Sequence, residues 1–231
     1  MFRIYIKEYG KSNKKVIFFL TAWTSTIAQH WVISKLLQFN GYHVITYSYD
    51  NSILSPNVQD TVKNCFVVKN QILKQIESLK NQGINTFYIL GESMGALLGL
   101  MIANSSKDIS KIVLNTVGGD LAETVWSWDK AKPWFKNDII KQGIKLQELK
   151  KIWKDISPIN NIDNLQVKKI LMYISKKDNI IQYESQALTL FNALEQRNYK
   201  VKLVTNNYLH HVFTVAYNLL RPRLYLTFIN Q

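Results

Sequence analysis

Hydrophobic positions along this chain fall into short β-favouring runs that alternate with longer stripes at helical spacing. Phe2 to Glu8 alternates apolar and polar residues as an edge strand does, and Gly10 to Asn13 forms its turn. Lys15 to Leu20, His43 to Tyr49, Thr86 to Leu90, Lys111 to Asn115, Lys169 to Ile174 and Tyr199 to Thr205 predict further strands. Between them lie helical patterns. Ile27, Trp31, Val32, Leu36 and Leu37 mark one helix face, with Thr24 or Ser25 as cap and Asn40-Gly41 as its end. Ser55-Pro56 opens a long helix that turns Val62, Cys65, Phe66, Ile72, Leu73, Ile76 and Leu79 inward and stops near Gly83. Ala96 to Ala103, Tyr183 to Asn198 and a segment from near Pro222 complete the set. This alternation predicts an α/β fold, a mostly parallel, doubly wound sheet covered on both faces, with ligands at the strand carboxyl ends. Residues from about 120 to 157 break the rhythm. They read as two helices parted near Gly143, a short helical cap inserted into the sheet fold.

A chain of 231 residues, 47% hydrophobic, suits one domain spanning 1–231 with one sizeable core. The longest apolar runs, Val16 to Leu20 and Ala96 to Ala103, are far too short for a membrane span. Arg3, Lys7 and Glu8 stand where a cleaved signal would be apolar. Cys65 is the only cysteine, which excludes an internal disulfide and a cysteine metal site and fits a cytoplasmic protein. The net charge of +13 raises nucleic acid or an anionic membrane as a partner, but the lysines are spread out. Lys11, Lys14 and Lys15 sit in a turn, Lys176 and Lys177 follow a strand, and Lys145, Lys150, Lys151 and Lys154 lie along one helix. With no basic run interleaved with aromatics and no helix-turn-helix or zinc pattern, these read as solvated surface lysines, and nucleic acid is not an expected partner.

The chemistry lies in Asn85 to Asn104. Gly91-Glu92-Ser93-Met94-Gly95 is a G-x-S-x-G pentapeptide between a β-favouring run and a helical one. Glycine at both ends lets strand and helix crowd together. Ser93 then stands at the strand's carboxyl end, with the Met94 N–H aimed at any oxyanion formed there. Such a serine needs a base, and the chain has four histidines. His43 opens a strand and His30 lies within a helix, so both read as structural, whereas the Leu209 to Phe213 loop after the last strand offers His210 or His211. An acceptor must hold the imidazole, and Asp178, in the polar loop after the Leu171 to Ser175 run, is placed for it. Asp120 is the second candidate.

On these residues the chain resembles a small α/β-hydrolase, similar to the carboxylesterase and monoacylglycerol-lipase-like branch, over essentially its whole length. The resemblance implies His211, directly before Val212-Phe213, as the base, and Asp178 with Asn179-Ile180-Ile181 as the acid loop. Where family members carry His-Gly this chain has Thr21-Ala22-Trp23, and matching by position makes the Trp23 N–H the second oxyanion donor. Hydrolysis of an ester or related acyl bond, with no cofactor or metal, is the implied reaction. The acyl substrate would be a small apolar molecule, and Trp126, Trp128 and Trp134 in the cap are candidates to line its pocket. An acyltransferase or thioesterase could use the same triad, and a non-catalytic binding protein could keep the same pocket.

Overall fold

The computed structural model describes residues 2–128, 132–167 and 169–231, so three residues of the expected cap, 129–131, lie outside the described residues. Among the described residues seven strands form one sheet: β1 (Ile4–Tyr9), β2 (Lys15–Leu20), β3 (Tyr42–Tyr49), β4 (Thr86–Glu92), β5 (Ile109–Asn115), β6 (Lys169–Ser175) and β7 (Val201–Asn206). Their order is β1-β3-β2-β4-β5-β6-β7. Only β1 runs antiparallel to its neighbour; every other pairing is parallel. The expected α/β, mostly parallel, doubly wound sheet is therefore present, with β4 at its centre.

Nine helices flank the sheet among the described residues. They are α1 (Trp31–Phe39), α2 (Val58–Asn81), α3 (Met94–Ser105), α4 (Leu121–Trp126), α5 (Pro133–Ile140), α6 (Leu146–Ile152), α7 (Thr189–Gln196), α8 (His211–Leu219) and α9 (Pro222–Asn230). Alternate residues of each strand feed opposite cores. Phe18, Leu20, Ile45, Ile89 and Ile112 pack with α2 and α3, while Ile17, Phe19, Val44, Leu90 and Val113 pack with α1 and α9. Both faces of β2 and β4 are thus dry, which explains their unbroken apolar runs. Among the described residues no helix is long and apolar enough to cross a membrane.

Several expectations need correction. Helix α1 buries Ile33, Ser34 and Leu37, and Trp31 and Val32 are exposed. Its inward stripe, which continues back to the buried His30, includes polar residues that have internal partners; the Ser34 hydroxyl, for one, pairs with that of Thr46 at 2.8 Å. Neither Thr24 nor Ser25 caps it; a 3₁₀ turn over Ala28–His30 leads in. Helix α2 starts at Val58, two residues beyond Pro56, because Ser55 instead bonds Thr61 and Asn57. Among its described residues, the region expected to hold two helices holds three α-helices, α4, α5 and α6, with Gly143 at φ 77° between the last two. A π-helical turn over Tyr183–Leu188 precedes α7. The segment expected to be a loop at 209–213 becomes helix from His211 onward.

Candidate active site

Ser93 sits between β4 and α3 with φ 49° and ψ −111°, a backbone region that costs a non-glycine residue about 1–3 kcal/mol. Its N–H donates to the Asn115 carbonyl at 2.8 Å, and its own carbonyl accepts from the Ala96 and Leu97 amides at 2.9 and 3.2 Å. These bonds hold the strained turn in place. A Cβ on Gly91 would come within 2.6 Å of the Ala96 Cα and the Gly95 carbonyl. One on Gly95 would come within 2.1 Å of the Leu20 carbonyl oxygen. The second contact shows that the elbow also presses against the backbone leaving β2, where Thr21, Ala22 and Trp23 follow.

Three side chains from separate parts of the chain meet here: Ser93 at the elbow, Asp178 in the loop after β6 and His211 at the first turn of α8. His211 Nε2 lies 3.0 Å from Ser93 Oγ, and His211 Nδ1 lies 2.8 Å from Asp178 Oδ2. The other carboxylate oxygen, Oδ1, accepts the Ile180 and Ile181 amides at 2.8 Å each, which fixes the acid after β6. Asn179 contributes as well, its Oδ1 accepting the His211 N–H at 3.2 Å. Both titratable members are almost wholly buried, with side-chain exposure of 9% for His211 and 3% for Asp178. His210 is turned away: its Nδ1 donates to the Lys177 carbonyl at 2.9 Å. Asp120 is occupied as the N-cap of α4, where its Oδ1 accepts the Glu123 N–H at 3.0 Å.

A cavity of about 450 Å³ opens onto this cluster, and Ser93, Met94, His211 and Trp23 all line it. Its walls are largely apolar, supplied by Leu54, Leu97, Val117, Leu121, Ile180 and Ile181 among others. Of the three cap tryptophans, only Trp128 reaches the cavity. It stacks on Trp23 with ring centroids 6.0 Å apart and planes 9° from parallel, and Phe135 meets both rings edge-on at 5.7 Å. Indole N–H bonds lock the stack at each side, Trp128 to the Ile180 carbonyl at 3.1 Å and Trp23 to the Asn51 carbonyl at 2.8 Å. Trp134 is 51% exposed, and Trp126 lies under Lys136; neither is in the cavity wall. Trp153 is fully buried and ties α6 to the body through its N–H on the Val58 carbonyl.

His30 and Glu92 belong to the cavity wall too, although the sequence reading set His30 aside as structural. His30 Nδ1 faces the Thr26 carbonyl at 2.9 Å and so carries a proton; Nε2 lies 2.7 Å from Glu92 Oε2. Burial works against the charged imidazole, but the Glu92 carboxylate and the Thr26 carbonyl together outweigh it and raise the His30 pKa. The signal was present in the pentapeptide itself, because a carboxyl at the end of a buried strand requires a partner.

The model of the family described as the prolyl oligopeptidase family matches residues 63–230. The chain belongs to that family. No curated protein matches the sequence. Among solved structures, the acylaminoacyl peptidase of Pyrococcus horikoshii superposes with a TM-score of 0.67 at 14% identity, over 94% of this chain and 37% of that one. A highly thermostable carboxyl esterase from Bacillus coagulans, in complex with glycerol, gives 0.68 at 11% identity over 99% and 92%. An esterase from Exiguobacterium antarcticum gives 0.63 at 14% over 100% and 96%. The chain thus spans little more than a third of that acylaminoacyl peptidase and nearly all of the two esterases. These likenesses establish the α/β-hydrolase fold. Family membership supports a serine hydrolase and leaves esterase and peptidase chemistry both open.

Proposed function

We propose that this chain is a carboxylesterase-like serine hydrolase that cleaves an ester or related acyl bond of a small apolar substrate through an acyl-enzyme. The observation that carries the reading is His211, bridging Ser93 Oγ and Asp178 Oδ2 with its two ring nitrogens. Asp178 can only accept from Nδ1, so Nδ1 holds the proton and Nε2 presents its lone pair to the serine hydroxyl. As Ser93 Oγ bonds to the substrate carbonyl carbon, its proton passes to Nε2. The imidazolium returns that proton to the leaving oxygen as the acyl–oxygen bond breaks. Water then repeats the sequence on the acyl-Ser93 ester and frees the acid. The Met94 and Trp23 amides are the proposed oxyanion donors, and the tight seat of Gly95 on the β2 exit supports a fixed spacing between them.

Apolar walls and the Trp23–Trp128 stack support an uncharged acyl group. Each added methylene should contribute up to about 0.8 kcal/mol until the space is filled. A p-nitrophenyl ester series from acetyl to dodecanoyl tests this: kcat/KM should rise and then level or fall. The family match favours a second reading, peptide-bond cleavage. An N-acyl peptide p-nitroanilide hydrolysed faster than every ester in the series would decide for the peptidase.

A further inference from the structure

Helix α8, which carries His211, has its polarity inverted. At 100° per residue its positions divide into two arcs. The inner arc holds His211, Thr214, Val215, Asn218 and Leu219, and its polar members all have internal partners. His211 meets Ser93 and Asp178, the Thr214 hydroxyl donates to the Leu209 carbonyl at 3.1 Å, and Asn218 Nδ2 donates to Asn115 Oδ1 at 2.8 Å. The outer arc holds Val212, Phe213, Ala216 and Tyr217, and Leu220 extends it past the helix end. All five are exposed, Val212 and Leu220 at 72% and Phe213 at 67%. A surface helix ordinarily shows the opposite arrangement. The site accounts for the inner polar residues, but nothing in the fold requires the outer apolar ones, and a continuous exposed apolar face marks a contact surface.

We propose that this face docks onto an anionic lipid surface. Charge selects the occupant. The chain carries +13, and the two charged residues that directly follow the helix, Arg221 and Arg223, are both exposed cations. Arg221 lies against the Tyr217 ring, its guanidinium carbon 5.2 Å from the centroid, and the exposed Lys176 and Lys177 flank the helix start, where the Lys177 carbonyl holds His210. Two copies meeting through this face would bring together two bodies of +13, whereas anionic headgroups would neutralise the basic rim as the apolar arc enters the interface. The arc is also continuous with the cavity: Val212 and Ala216 are exposed on the outside and line the space around Ser93. Docking therefore sets the cavity mouth against the lipid.

The test is co-sedimentation of the full chain with vesicles of equimolar phosphatidylglycerol and phosphatidylcholine, compared with pure phosphatidylcholine. Binding is read without turnover, so its failure leaves the hydrolase reading untouched. The wild-type chain should sediment with the anionic vesicles only and be released at high salt. Phe213→Gln with Leu220→Gln should weaken partitioning by about tenfold per side chain. Arg221→Gln with Arg223→Gln should weaken it by about fivefold per cation. None of the four lines the cavity, so hydrolysis of a water-soluble ester and the thermal midpoint should stay unchanged. Equal sedimentation with both vesicle types, or binding that Phe213→Gln with Leu220→Gln leaves intact, would overturn the proposal. So would a dimer in sedimentation velocity that the same double variant dissociates, since a second copy would then own the face.

Discussion

Asp178→Asn changes one atom of the side chain, and the surrounding hydrogen bonds dictate which way the new amide must sit. Asp178 Oδ1 accepts two backbone amides at 2.8 Å, and Oδ2 accepts His211 Nδ1 at 2.8 Å. An asparagine that keeps its oxygen on the two amides turns its NH₂ toward Nδ1. Nδ1 must then accept, the ring proton moves to Nε2, and Nε2 donates to Ser93 Oγ when it should take a proton from it. The flipped rotamer would restore the useful tautomer, but it forfeits two hydrogen bonds of about 1 kcal/mol each and leaves two donors unpaired at about 1–3 kcal/mol each. The wrong tautomer is therefore retained. The expected loss is about 10⁴ in kcat, or roughly 5.5 kcal/mol of barrier, with the fold intact. Hydrolysis of the best p-nitrophenyl ester measures it, with a thermal melt as the folding control. Asp120→Asn is the comparison, because asparagine caps a helix as well as aspartate does and activity should hold within about twofold. An Asp178→Asn enzyme retaining a tenth of the wild-type kcat, or an Asp120→Asn enzyme as impaired as Asp178→Asn is expected to be, would refute the assignment of the acid.

Gly95→Ala should lower kcat/KM by about a hundredfold, since its Cβ would meet only backbone, at 2.1 and 2.5 Å from Leu20 and 2.7 Å from Thr21, and a shift of about 1 Å displaces the proposed oxyanion loop. Gly99→Ala, whose nearest neighbour is the Ile89 methyl at 2.8 Å, should be much milder, and a reversed ranking would contradict the close elbow–loop contact. His30→Gln should cost stability in a pH-dependent way. The folded His30 pKa is raised, so the charged pair's contribution is complete below the unfolded value of about 6.5 and fades as pH rises through the folded one. Thermal midpoints of wild type and variant should therefore converge toward alkaline pH; a gap that widens there would show that the pair is not charged.

The sheet was legible in the chain because β2 through β6 are buried on both faces, and continuous β-favouring runs leave little room for another assignment. The elbow was legible because its glycines are forced by backbone contacts. Helix α8 was not. Its outer positions 212, 213, 216, 217 and 220 have helical spacing, but the inward side carries His211, Thr214 and Asn218, so a rule that equates polar with outside finds no helix there. The same reversal misplaced α1, whose buried side includes His30 and Ser34. Aromatic content located the cap tryptophans, but in helices as short as α4 and α5 periodicity cannot decide which way a ring faces: Trp126 and Trp134, which these helices carry, miss the cavity, and Trp128, in the turn after α4, reaches it.

Reaction of the folded chain with a fluorophosphonate, followed by mass spectrometry of the labelled peptide, tests the central claim most directly. The phosphonyl group should attach stoichiometrically to Ser93, and labelling should disappear in Ser93→Ala and slow sharply in His211→Ala. Folded wild-type protein that stays unlabelled, or carries the adduct on any other residue, would show that Ser93 is not an activated nucleophile.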